Sequence, residues 1–170
     1  MQHSNTVKSI LSAAVLGFLM LGFASTSANA QTDPATTTFG VSATVLKDCV
    51  VSATALSFGN YTGAINSAQS TVTITCTNTT TYTIGLNQGT TTGGSASNPR
   101  LMAGPAGATL AYGLYQDATW GTNWGNASGS WVSGTGNGSA KVLTVYGQIA
   151  AGLYVTPGSY TDTITATVIY

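Results

Sequence analysis

Beyond Cys49 the chain contains no run of 3.6-residue apolar periodicity long enough for a helix. It consists of short segments in which apolar and polar residues alternate, set apart by clusters of Gly, Asn, Ser and Pro. A period of two puts alternate side chains on opposite faces of an extended chain, so the pattern predicts an all-β fold. Residues 70–77 alternate cleanly, with Val72, Ile74 and Cys76 on one face and Thr71, Thr73 and Thr75 on the other. Residues 81–87 repeat the scheme with Tyr82, Ile84 and Leu86. Further strands are predicted at 49–52, 55–59, 100–103, 109–117, 141–149 and 159–170, with loops over 88–99 and 118–140.

Two segments at the ends of this series stand apart. Residues 36–47, TTTFGVSATVLK, place Phe39, Val41, Ala43 and Val45 on one face, which is the signature of a half-buried strand. The segment is either the first strand of a closed sandwich or a strand that fits a groove on another molecule. At the other end, Ile164, Ala166, Val168 and Tyr170 carry an apolar face up to the last residue. A Greek-key sandwich that stops there can be one strand short, and an edge left open accepts a strand from another chain.

Residues 1–30 have the form of a secretory leader: Lys8, an apolar run over 10–23, then Ala28-Asn29-Ala30 before the expected cleavage point. The mature chain then begins at Gln31, has about 140 residues and fits one domain. Cleavage discards His3, the only histidine, and Lys8. Lys47, Arg100 and Lys141 remain against Asp33, Asp48, Asp117 and Asp162, a net side-chain charge of −1. Catalysis by histidine has no residue to carry it, and three scattered cations cannot neutralise a run of nucleic-acid phosphates. Cys49 and Cys76 are the only thiols of an exported chain, so they are expected to form a disulfide. It would close a loop worth about 3 to 4 kcal/mol in the chain-entropy picture and leave residues 31–47 outside the staple. No cofactor or metal is expected.

Three passages in order resemble the spore coat protein U family, the domain shared with archaic chaperone-usher pilins of the Csu type. They are RLMAGPAGATLAYGLYQD at 100–117, the Trp124-Gly125 step, and VYGQIAAGLYVTPGSYTDTITATVIY at 145–170. Cys49 ahead of the Leu56 to Tyr61 segment fits as well. The resemblance implies an incomplete immunoglobulin-like β-sandwich completed by donor-strand exchange. In that scheme residues 1–30 are the leader, 31–47 the donor extension and 48–170 the pilin domain. Phe39, Val41, Ala43 and Val45 are then the donor side chains, and Ile164, Ala166, Val168 and Tyr170 line the acceptor groove and bind a periplasmic chaperone. The implied function is a structural subunit of a cell-surface pilus, assembled through the periplasm by an outer-membrane usher and supporting attachment and biofilm formation.

Other readings remain open at this level. The chain can be a secreted coat or structural protein that uses its own first strand. The loop with Trp120, Trp124 and Trp131 can be a sugar-binding platform, or its rings can pack beneath it and hold it down. Asp117 and Asp162 are the only candidates for paired catalytic carboxylates, and nothing in their spacing favours an enzyme.

Overall fold

The computed structural model describes residues 33–170, so the expected leader lies outside the described residues. The chain divides into two units, Met1–Ser42 and Ala43–Tyr170. In the first unit residues 33–42 have no regular secondary structure, and Phe39 and Val41 are 85% and 86% exposed. In the second unit residues 43–48 are likewise without regular structure, and Val45 is exposed. The alternation at 36–47 is thus not expressed as a strand in the single chain, for which a hydrogen-bonding partner is required.

The second unit holds eight strands: β1 (Cys49–Ala53), β2 (Asn66–Cys76), β3 (Thr81–Leu86), β4 (Arg100–Ala103), β5 (Thr109–Tyr115), β6 (Val132–Thr135), β7 (Lys141–Ile149) and β8 (Ala166–Ile169). A single 3-10 turn, Pro105–Gly107, joins β4 to β5, and no α-helix occurs among the described residues. The strands form an antiparallel five-stranded sheet in the order β1-β2-β7-β5-β4 and a three-stranded sheet in the order β6-β3-β8.

The inward faces are those that the period of two selects. Val72 and Ile74 of β2, Ile84 and Leu86 of β3, Leu110, Tyr112 and Leu114 of β5, and Val145 and Ile149 of β7 are all buried, whereas Thr71, Thr73 and Thr75 point away from the core. Gly85 stands next to the last residue of β3, where a Cβ would come within 2.8 Å of the Asn126 backbone, so the β3 strand and the tryptophan loop are in direct main-chain contact. Cys49 pairs directly with Cys76 in the β1–β2 register and forms the expected disulfide with it.

β2 begins at Asn66, four residues before the expected strand, and three other elements also differ from the sequence expectation. The last strand covers only 166–169, preceded by a single bridge between Thr161 and Ala103, because just four residues find a ladder partner in β3. Residues 55–59 are not a strand; they carry Leu56 and Phe58 inward, over Gly147, where a Cβ would meet both side chains. β6 lies within the predicted 118–140 loop, since four residues with one glycine carry too little alternation to be read as a strand.

Candidate functional site

The two sheets each have an edge strand that is paired on one side only. β1 is bonded to β2 and β8 to β3, and neither has a second strand partner among the described residues. These edges are neighbours across the sandwich. Between them opens a cleft of about 380 Å³, lined by residues that run from Ala53 to Ala166. Val72, Leu86, Leu114 and Val145 supply its apolar floor, Ala53 and Leu56 one wall, and Ile164 and Ala166 the other.

The inner face of β1 is correspondingly uncovered. Val51 stands opposite Ile74 in an antiparallel pair, so both side chains share the inward face. Ile74 is 1% exposed and Val51 is 37% exposed. A layer that covers the rest of this face is missing over its edge strand, and that is what an incomplete sandwich requires.

Of the four positions expected at the acceptor edge, Ile164 and Ala166 line the cleft. Val168 is half-buried against the core. Tyr170, one residue past β8, lines a separate shallow depression with Tyr82 and Ile169 and is about half exposed. Phe39, Val41, Ala43 and Val45 are all exposed.

One end of the cleft is polar. Tyr112 donates its hydroxyl to Asp162 Oδ2 at 2.6 Å, and its ring meets Phe58 edge to face at 6.0 Å. Asp162 Oδ1 accepts from the backbone amides of Thr90 at 2.8 Å and Thr163 at 2.9 Å. These bonds, with the Asn87 amide bonded to the Thr165 carbonyl and the Thr165 amide bonded to Asn87 Oδ1, hold the approach to β8 against the loop that follows β3. The free edge of β8 is therefore kept in place without a strand beside it.

Burial pushes the Asp162 carboxyl upward, but the hydrogen bonds from Tyr112, Thr90 and Thr163 outweigh it and hold the group below the usual carboxylate value. Burial, reinforced by Asp162, keeps the Tyr112 phenol neutral far above neutrality. A carboxyl lowered in the folded state stabilises the fold above its unfolded value of about 4, and the contribution is lost as pH falls through the lower folded value. Urea unfolding midpoints should therefore fall on acidification below about pH 4. The Asp162→Asn chain should start from a lower midpoint and show a shallower acid limb; an unchanged limb would separate this carboxylate from acid stability.

Beneath the cleft end lies Arg100, which is fully buried. Its Nε donates to the Asn87 carbonyl at 2.8 Å, Nη1 to Asn98 Oδ1 at 2.8 Å, and Nη2 to the carbonyls of Leu86 at 3.0 Å and Trp124 at 2.7 Å. Burial draws its pKa below the ordinary arginine value, opposed by the nearby Tyr112 and Asp162. Trp124 is buried too, and its indole donates to the Ile84 carbonyl at 3.1 Å. Asp117 serves its own loop: its carboxylate accepts from the amides of Thr119 at 2.9 Å and Thr122 at 2.7 Å, and the Thr119 hydroxyl first, then the amides of Gly121 and Thr122, draw its pKa down. Each aspartate is thus engaged by structural donors of its own. Sequence reading did not single out Arg100, Tyr112 or Phe58; the one available signal was a lone cation, next to Pro99, in a chain with only 5% charged residues.

The arrangement offers a strand-sized apolar cleft with unpaired main chain on both sides. Among the described residues no helix is long and apolar enough to cross a membrane.

The Spore Coat Protein U domain profile matches residues 35–167. The chain is 30% identical over 182 aligned positions to Protein U of Myxococcus xanthus, covering 98% of this chain and 99% of that protein. Its fold is similar to that in the crystal structure of the CsuC–CsuE chaperone–tip adhesion subunit pre-assembly complex from the archaic chaperone-usher Csu pili of Acinetobacter baumannii. That match has a TM-score of 0.59 at 22% identity and covers 75% of this chain and 41% of the other. The profile, running from the arm through β1 to β7 and into β8, and the full-length relative establish that the chain belongs to the Spore Coat Protein U domain family.

Proposed function

We propose that this protein is a structural subunit of an extracellular chaperone-usher pilus that polymerises by donor-strand exchange. The observation that carries the reading is complementarity: an unpaired apolar cleft in the sandwich, and an alternating segment at 36–47 whose apolar side chains are exposed. Phe39, Val41, Ala43 and Val45 of one copy enter the cleft of the next and cover Val51, Ile164, Ala166 and Val168, with Tyr170 at the end of the same edge. The larger of these donor side chains each contribute about 1.5 to 3 kcal/mol on burial. Main-chain bonds to β8 and β1 add to that, so the strand leaves only as a unit.

Before assembly the same cleft is filled by a periplasmic chaperone, and an outer-membrane usher exchanges it for the arm of the following subunit. Residues 1–30 direct export and are removed. The likeness to a fold solved in a pre-assembly complex with a chaperone supports the chaperone-bound stage. The assembled fibre supports surface attachment and biofilm formation, and the subunit is not an enzyme.

The test compares residues 31–170 with a chain that lacks 31–47. The longer chain should form fibres visible by electron microscopy, and the shorter one should not. A synthetic peptide of residues 36–47 should raise the melting temperature of the truncated chain by more than about 5 °C, the effect of one or two kcal/mol of binding in a domain of this size. If the longer chain is instead a monomer that unfolds on truncation, the arm completes its own sandwich and the proposal fails.

A further inference from the structure

The three tryptophans of residues 118–140 differ in their surroundings. Trp124 is buried and its indole bonds the Ile84 carbonyl, which holds the loop to the sandwich, and Trp131 is half-buried. Trp120 is different. It is 38% exposed and has a φ of +56°, a left-handed conformation that glycine adopts freely and that an L-residue with a large ring adopts against its steric preference. The conformation is imposed by a tight turn, in which the Trp120 amide donates to the Asp117 carbonyl at 3.2 Å and the Asp117 carboxylate takes the amides on either side, those of Thr119 and Gly121. Strain retained at an exposed aromatic residue points to a use for that ring.

The ring lines a depression of about 500 Å³ over the five-stranded sheet, together with Tyr146, Gln69 and Ser67. Gln69, Tyr146 and Tyr115 form a continuous row across β2, β7 and β5, since Tyr146 is the direct register partner of both others. The depression is within the size range of small-ligand sites, and no charged side chain lines it. Two aromatic rings offer flat apolar surface, while an amide and a hydroxyl beside them offer hydrogen bonds in both directions. The apolar C–H face of a pyranose and its equatorial hydroxyls match that combination. A purely apolar ligand would leave the amide unused, and a charged one would find no counter-ion.

We infer that Trp120, Tyr146, Gln69 and Ser67 form a binding site for a neutral pyranose of a polysaccharide. The site is independent of the strand-acceptor cleft, with which it shares no lining residue. In the proposed fibre it would recur once per subunit, so weak single contacts would add through multivalency.

The experiment is calorimetric titration of the purified exported protein with cellohexaose, chitohexaose and mannohexaose. At least one should bind saturably. Trp120→Gly, which suits the observed φ, should abolish that binding while the protein melts no lower than the parent, because the substitution relieves strain. Tyr146→Thr, which keeps a β-branched residue in the strand, should weaken binding by about tenfold or more. Trp131→Phe should bind as the parent does. No saturable heat from any of the three sugars would overturn the assignment, and so would binding that survives both Trp120→Gly and Tyr146→Thr.

Discussion

The Arg100→Leu chain is expected to lose roughly 3 to 5 kcal/mol of stability, a large share of what holds a domain of this size folded. The guanidinium satisfies four acceptors at once: the carbonyls of Leu86, Asn87 and Trp124, and Asn98 Oδ1. Leucine fills part of the volume but takes this donor from three buried carbonyls and leaves Asn98 Oδ1 with only the Leu114 amide at 3.3 Å, at about 1 to 3 kcal/mol for each oxygen left unpaired that water cannot reach. Arg100→Lys should recover little of the loss, because a single ammonium cannot span groups arranged around a planar fork. Urea unfolding monitored through tryptophan fluorescence, to which buried Trp124 contributes, measures both. A midpoint within error of the parent for Arg100→Leu would mean that water replaces the cation without penalty.

The second large effect concerns assembly and leaves the single chain untouched. Val41→Asp changes a residue that is 86% exposed, so the unassembled subunit should melt within about 0.5 kcal/mol of the parent. In the proposed fibre the same side chain lies in an apolar cleft. The variant forfeits the burial of valine and must desolvate a carboxylate, together more than about 3 kcal/mol and hence over about 100-fold in linkage affinity. Fibres counted by electron microscopy should disappear. Ser42→Asp, on the opposite face of the same segment, should assemble. If Val41→Asp assembles as well as Ser42→Asp does, the alternation at 36–47 does not set the linkage.

Much of the sandwich was legible because its strands alternate and its connections do not. β3, β4, β5 and β7 lie where the period of two puts them, and the paired cysteines follow from their being the only thiols of an exported chain. β8 was overextended for an intelligible reason: apolar alternation from 164 to 170 marks a face, whereas a strand also needs a partner, and β3 supplies one for four residues only. The cleft was readable only as an incompleteness at the end of the chain. Its floor draws on β2, β3, β5 and β7, whose convergence is a property of the topology. Arg100 was illegible as a cornerstone because its acceptors come from position 86 at the end of β3 and from 87, 98 and 124 in loops, whose approach no local pattern encodes. The position of Asp162 against Tyr112, fifty residues earlier, has the same origin.

The cross-link at Cys49 sits where the leading arm joins the sandwich, and it connects to the far end of β2, a strand flanked on both sides. In the proposed fibre, tension arriving along the arm would reach Cys49 first and pass through sulfur into that interior strand. The hydrogen-bonded seam between β1 and β2 would thereby be spared from opening one rung at a time, and rupture would fall at the junction between subunits.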